Sequence, residues 1–165
     1  LWNKHTNFEN AVRTPLIVRY PGQRARGRKT TGLTELTDLY PSLCDIVNLP
    51  IPRNLEGSSF TPLFESPDRL WRRAAFSQYP RPIPGVGAGM GYSMRTSRFR
   101  YTEWTVPGTQ YKTAELYDYV EDPRETRNVA ARPENRSLVN GLAGMLREGW
   151  QGSLPPTDPR SGVSS

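Results

Sequence analysis

Residues 90–106 read MGYSMRTSRFRYTEWTV, and this stretch decides the fold of the second half of the chain. Apolar and aromatic residues alternate with smaller or polar ones, which is the period of a strand with one buried face. The polar pair Ser97-Arg98 interrupts that pattern near its middle. We therefore predict a β-hairpin with strands near 90–96 and 99–106 and a turn at this pair.

Further elements flank the hairpin on both sides. AAFSQY at 74–79 and AELYDYV at 114–120 predict two more strands, and the second ends at the turn signal Glu121-Asp122-Pro123. A final helix is expected to begin near Pro133, since proline is favoured in the first turn. Its apolar residues predict a buried stripe formed by Leu138, Leu142, Met145 and Leu146. The second half is thus predicted to be a small antiparallel sheet with one terminal helix.

The first half has a different pattern. TPLIVRY at 14–20 predicts a buried strand of a parallel sheet, and a basic loop follows it. The apolar spacing from Leu36 onward predicts a helix over 38–48 with Asp38 as its N-cap. A strand, a loop and an amphipathic helix indicate the α/β fold class for this half.

These patterns divide the chain into three parts. We expect residues 1–70 to be the end of a large α/β domain and residues 71–152 to be a smaller α+β subdomain. The Pro- and Ser-rich segment 153–165 is expected to be a disordered tail.

The composition excludes several kinds of site. The chain has one cysteine, Cys44, which rules out an intrachain disulfide and a cysteine metal cage, and we expect it to pack in the helix. A single histidine rules out a histidine-pair metal site. The net charge of +6 favours an anionic partner without choosing among sugars, nucleic acids and lipid surfaces. The hairpin arginines are expected to form a solvated outer face: Arg95, Arg98 and Arg100.

Lys4 and His5 lie close before the predicted strand at 14–20. They fit a solvated chain end, where charged residues are ordinary. They equally fit a loop at the edge of a sheet, where Lys4 would stabilise negative charge on a transferring group. The residues alone leave both interpretations open.

Several phrases of the sequence, in this order, resemble the C-terminal part of a sulfatase of the alkaline-phosphatase-like superfamily. The likeness is greatest to the iduronate-2-sulfatase group. The phrases are WNKHTNFENAVRTPLIVRYPG, LTDLYPSLCDIVNLPIPRNLEGSSFTPLF, FSQYPRP with MGYSMRTSRFRYTEW, and AELYDYVEDPRETRNVA. The resemblance implies the C-terminal part of the sulfatase fold and the hydrolysis of sulfate esters, with a sulfated sugar or glycosaminoglycan as substrate.

The resemblance also implies roles for individual residues. Lys4 matches the family lysine that contacts the sulfate, and His5 is adjacent to it in the resembling group without an assigned role. Loop residues expected to border the sugar pocket are Tyr79, Arg81, Met90 and Tyr92.

The same family uses a formylglycine nucleophile, made within a Cys/Ser-x-Pro-x-Arg motif, and a calcium ion. The chain contains neither that motif nor an Asp-His-Gly, so we expect no metal site within it. Both groups are expected in a preceding part of a longer parent, and the chain alone is expected to be inactive. Family habit implies export to the periplasm, the lysosome or the cell exterior.

Other functions remain as alternatives. One is a non-catalytic module that binds sulfated polysaccharide through its basic loops, and another is a phosphodiesterase or phosphatase of the same superfamily. A basic nucleic-acid-binding domain is a third. The resemblance favours the sulfatase, with neither nucleic acid nor a membrane as partner.

Overall fold

A computed structural model describes residues 4–23, 26–156 and 158–161. The chain divides into two compact units, each assembled from separated stretches. The first unit combines Leu1–Pro15 with Phe76–Gly149, and the second combines Leu16–Ala75 with Trp150–Ser165. The predicted domain boundary near residue 70 stays a proposal about the larger protein.

The first unit is built on a four-stranded sheet. Its strands follow the order β1-β2-β3-β4, and both β2–β3 and β3–β4 are antiparallel. The pairing of Arg95 with Arg100 across the turn confirms the predicted hairpin. The strands predicted at 74–79 and 114–120 are also present. The bounds are β1 Ala74–Ile83, β2 Gly87–Thr96, β3 Phe99–Thr105 and β4 Lys112–Asp118.

Strand alternation gives this sheet two different faces. One face, which we call face A, carries the cross-strand pairs Gly91–Trp104 and Ser93–Thr102. It is covered by the segment that leads into the short helix α1, Glu9–Val12. The terminal helix lies on the opposite face.

The terminal helix α4 spans Arg136–Glu148 and continues a 3-10 turn at Pro133–Asn135. This agrees with the predicted start near Pro133. Leu142 is only 6% exposed, and the rest of the predicted stripe is partly buried. Glu103 of β3 and Asn140 of the helix line one shallow pocket, which places α4 on the face opposite to face A.

The second unit has two further helices. A 3-10 turn at Leu36–Asp38 leads into α2, Leu39–Ile46, which confirms the predicted helix. The helix α3 spans Pro62–Glu65. Cys44 is buried, as predicted. A small core lies beside these helices, formed by Phe60, Leu63 and Trp71 with Val18, Leu39 and Phe64 packed against it.

Asp38 occupies the predicted N-cap position of α2, but its carboxylate has other partners. It accepts hydrogen bonds from Arg72 Nη2 at 2.7 Å and from the Ser58 amide at 2.8 Å. Asp38 is fully buried, so the buried Arg72 guanidinium compensates its charge.

The predicted strand at 14–20 is wrong. These residues form no strand, and Ile17 is 92% exposed. A strand requires a neighbour that accepts and donates its backbone hydrogen bonds, and the only sheet in the described ranges consists of β1 to β4. Instead, single side chains hold the segment, such as Tyr20 at 5.1 Å from the Phe64 ring.

The segment 153–165, expected to be disordered, makes hydrogen bonds to the loop at 55–58 through its described residues. Ser58 Oγ donates a hydrogen bond of 2.6 Å to Asp158, and Arg160 donates to the carbonyls of Leu55 at 2.5 Å and Gly57 at 3.0 Å. Residues 157 and 162–165 lie outside the described residues. No helix among the residues the structure describes is long and apolar enough to cross a bilayer.

Candidate functional site

His5 and Tyr79 come together at the start of the chain. Lys4 and His5 lie exposed in a turn before α1. His5 Nδ1 shares a hydrogen bond with the Tyr79 hydroxyl, and their ring centroids are 5.7 Å apart at an interplanar angle of 58°. Tyr79 is half-buried on β1, so it holds one side of an otherwise exposed imidazole.

Arg81 follows two residues later on β1 and is therefore on the same side of the strand as Tyr79. Its guanidinium carbon lies 3.6 Å from the centroid of the Trp104 ring, a stacked cation–π geometry. Its Nη2 also donates to Glu115 Oε1 at 3.4 Å. The two contacts orient an exposed guanidinium beside the His5–Tyr79 pair.

Met90 and Tyr92 do not join this group. They flank Gly91, whose face carries Trp104, so strand alternation directs them to the opposite face of β2. The structure thus places His5, Tyr79 and Arg81 at one edge, with Lys4 next to His5 in the chain, and places the other two predicted residues elsewhere. The substrate-binding roles of all six residues stay predictions.

The residues after His5 anchor the turn to the sheet. Asn7 is only 4% exposed, and its Nδ2 donates to the Gly91 carbonyl at 2.9 Å. Its Oδ1 accepts a 3.2 Å hydrogen bond from Ser77 Oγ. Phe8 then contacts Tyr117 edge-on, with ring centroids 5.6 Å apart.

A buried charge cluster continues this anchor. Arg100 is 1% exposed and donates hydrogen bonds of 2.6 Å to both Glu9 Oε2 and Glu125 Oε1. The Tyr119 hydroxyl accepts a 3.0 Å hydrogen bond from Arg100 Nε and has both carboxylates within reach of its single proton. Arg95 stacks 3.6 Å from the Tyr119 ring and forms an ion pair with Glu9.

The prediction of a solvated arginine face is therefore wrong for Arg100. Its position directly opposite Arg95 places it on face A, beneath the N-terminal segment. A buried arginine is tolerated there because Glu9 and Glu125 neutralise it. Sequence reasoning missed this group, since Glu9 is 91 residues away from Arg100 and no local pattern links them.

The protonation states follow from the surroundings. Burial opposes the charge on Arg100 and lowers its pKa. The electrostatic attraction of Tyr119 and Glu125 and their hydrogen bonds outweigh burial, so the pKa of Arg100 lies above its ordinary value. Burial raises the pKa of Tyr119 far above its usual range, so its hydroxyl remains a donor to the carboxylates at neutral pH. Arg100 is therefore a cation and Tyr119 a neutral phenol near pH 7.

The described residues do not fit a calcium ion. Within that part of the chain, no group of three or more His, Cys, Asp or Glu side chains is arranged to hold a metal. The carboxylates of Glu9 and Glu125 are both engaged by Arg100.

Comparison with known proteins identifies the family of this chain. Residues 1–151 match the family described as N-sulphoglucosamine sulphohydrolase, C-terminal. The N-acetylglucosamine-6-O-sulfatase of Bacteroides thetaiotaomicron is 26% identical, over 89% of this chain and 26% of its own length. The mouse iduronate 2-sulfatase is 28% identical over 86% of this chain and 37% of its own length. The chain thus spans between about a quarter and somewhat over a third of these relatives.

Solved structures show the same fold. A protein in complex with its substrate D-glucosamine-2-N,6-O-disulfate matches 88% of this chain and 29% of its own, with a TM-score of 0.69 and 24% identity. The phosphonate monoester hydrolase of Agrobacterium radiobacter matches 76% of this chain and 27% of its own, with a TM-score of 0.59 and 26% identity. The predicted fold class is thereby confirmed.

The predicted resemblance is also confirmed, because the family match runs from the His5 turn through the hairpin and on to the end of α4. The matching relatives are sulfuric ester hydrolases. The chain belongs to the N-sulphoglucosamine sulphohydrolase C-terminal family, among the sulfatases of the alkaline-phosphatase-like superfamily.

Proposed function

We propose that this chain is the C-terminal part of a sulfatase that hydrolyses sulfate esters of a sulfated sugar. The observation that carries the proposal is the family match over residues 1–151. The names of the relatives support a sugar substrate, since one acts on N-acetylglucosamine 6-O-sulfate and another on iduronate 2-sulfate. More specifically, we propose an iduronate-2-sulfatase-like activity on a glycosaminoglycan.

Within this reaction, Lys4 would contact the sulfate. Its ammonium is a compact charge on an exposed turn, suited to stabilising the negative charge that develops on sulfate oxygens. His5 has one ring nitrogen engaged by Tyr79, so only Nε2 can meet a bound substrate. The oriented guanidinium of Arg81 is the second cation at this edge and would contact another acidic group of the sugar.

The parent would supply the remaining chemistry. In that parent, a formylglycine residue would provide the nucleophile, and a calcium ion would polarise the sulfate oxygens. The described residues of this chain contribute the sulfate contact and one wall of the sugar site.

The test is sulfate release by a parent protein that includes the region preceding Leu1. We would assay glucosamine 6-sulfate and a 2-O-sulfated uronate, each beside the desulfated sugar as a control. Catalytic release of sulfate from either sugar supports the proposal. A parent that folds, carries the nucleophile and releases no sulfate from any sulfated sugar would contradict it.

The likeness to a phosphonate monoester hydrolase favours a second candidate, a hydrolase of phosphonate or phosphate esters. The same assay distinguishes it if a phosphonate monoester is included: faster turnover of that ester than of sulfated sugars favours the second candidate. A non-catalytic polysaccharide-binding module would instead show salt-sensitive heparin binding by the isolated chain without any turnover by the parent.

A further inference from the structure

Three consecutive residues after His5 each contact a different part of the sheet. Asn7 contacts β1 and β2, Phe8 contacts β4, and Glu9 contacts Arg100 of β3. All four strands therefore hold one short segment. Lys4 is three residues before Asn7, so its Cα lies within about 11 Å of this anchor whatever its conformation.

The Asn7 contact is directional. One end of the amide donates to the Gly91 carbonyl and the other accepts from Ser77, so only one orientation satisfies both partners. Because the side chain is buried, a lost partner cannot be replaced freely by water. This fixes the backbone two residues from His5.

The Glu9 contact depends on charge. Arg95 and Arg100 contribute two positive charges to the cluster, and Glu9 and Glu125 contribute two negative charges. The Glu9 backbone amide also donates to Glu125 Oε2 at 2.7 Å. Neutralising Glu9 would leave an excess positive charge in a buried cluster and loosen the start of α1.

We propose that Asn7 and Glu9 are positioning residues, which hold the Lys4–His5 turn against Tyr79 in the geometry that the reaction needs. The positioning of Lys4 for catalysis rests on the proposed function. The contact between His5 and Tyr79 is independent of the proposed function and can be measured in the chain by itself.

The first experiment uses the only histidine of the chain. Its ring protons give a single set of NMR signals, so the nuclear Overhauser effect between the rings of His5 and Tyr79 is unambiguous. We expect the effect in the wild-type chain and its loss in Asn7→Asp and Glu9→Gln. The matched control is Asn10→Asp, which makes the same change at an exposed position of α1 and should retain the effect.

The folding of each variant is checked on the same spectra through the signals of the β2–β3 hairpin. If Asn7→Asp unfolds the sheet, Ser77→Ala serves instead, because it removes only the hydrogen bond to Asn7 Oδ1. An undiminished His5–Tyr79 effect in folded Asn7→Asp and Glu9→Gln, or in folded Ser77→Ala if it is needed, would overturn the proposal.

The second experiment measures kcat and KM in the parent. We expect Asn7→Asp to lower kcat about tenfold or more with a smaller change in KM, since misplacement of a reacting group impairs chemistry more than binding. In a Lys4→Ala background the same change should cost less than about twofold, because the group being positioned is already absent. Equal losses in both backgrounds would show a merely structural role.

The two proposals fail in different ways. A parent without sulfate release contradicts the proposed function while the NMR result stands. A parent that is active with and without the Asn7 and Glu9 anchors contradicts the positioning role while the function stands.

Discussion

Gly91 shows how a single missing side chain shapes the sheet. A Cβ placed on Gly91 would lie 2.6 Å from Cη2 of Trp104, closer than any real contact. The Trp104 ring therefore lies flat on β2, and its other face receives Arg81. A residue without a side chain thus decides where one cation of the site is held.

We expect Gly91→Ala to destabilise the chain by about 1–3 kcal/mol, because the added methyl forces the Trp104 ring to move. Equilibrium urea unfolding measures the change. The matched control is Gly141→Ala in α4, where a Cβ meets nothing within 4 Å and should stabilise the helix by about 0.5–1 kcal/mol. Equal effects of the two substitutions would contradict this account of Trp104.

Lys4 is the residue whose removal we expect to affect activity most directly. Lys4→Ala in the parent should lower kcat by about 10²–10³, the typical effect of losing one group that stabilises developing charge. Its melting temperature should not change, since the side chain is exposed. The control is Lys29→Ala, another exposed lysine, which should keep activity within about twofold. Unchanged turnover in Lys4→Ala would remove the catalytic assignment.

At the scale of elements, the packing of α4 follows directly from the spacing of its apolar residues. Its apolar residues recur at helical spacing and its only buried leucine, Leu142, lies in the middle of the predicted stripe. The N-terminal segment is different, because a four-residue helix has little stability of its own and depends on the buried contacts of Glu9.

Leu142→Ala should lower the free energy of unfolding by about 2–5 kcal/mol, since it leaves a cavity beneath α4. Thermal or urea unfolding provides the measurement. The same truncation at the exposed Leu70 should change it by less than about 0.5 kcal/mol. A wild-type unfolding curve for Leu142→Ala would mean that α4 does not pack as described.

At the scale of the whole molecule, each unit is held together internally by contacts between distant parts of the chain. In the second unit, Asp158 and Arg160 bind the loop at 55–58. Burial opposes ionisation of Asp158, but hydrogen bonds from Arg160 and Ser58 outweigh it and lower its pKa from 3.8 to about 2.

This pKa predicts acid sensitivity of the second unit. A carboxyl whose pKa is lower in the folded state stabilises fully above its unfolded value and loses that contribution as the pH falls through the folded value. Hydrogen-exchange protection of residues 55–58 should therefore decrease between about pH 4 and pH 2. Asp158→Asn should reduce protection already at pH 5 and flatten this dependence, whereas the surface variant Asp68→Asn should retain it. An unaltered pH profile in Asp158→Asn would refute the assignment.

The sequence by itself determined the hairpin, the flanking strands, α2, α4 and the family, because these depend on periodicity and on phrases of adjacent residues. It also led to Lys4, His5, Tyr79 and Arg81 as candidates, although through resemblance. The false strand at 14–20 shows the limit of such reasoning, since an apolar run becomes a strand only beside a partner.

Only the tertiary structure decided which residues meet. It buried Arg100 between Glu9 and Glu125, directed Met90 and Tyr92 away from the candidate site, and brought Asp158 and Arg160 into contact with a loop about a hundred residues earlier. Strand alternation decides the direction of Met90 and Tyr92, whereas a common physical reason applies to Arg100 and to the pair Asp158 and Arg160. The free energy of a buried charge or a hydrogen bond depends on partners in space, and partners far apart in the chain leave no local pattern.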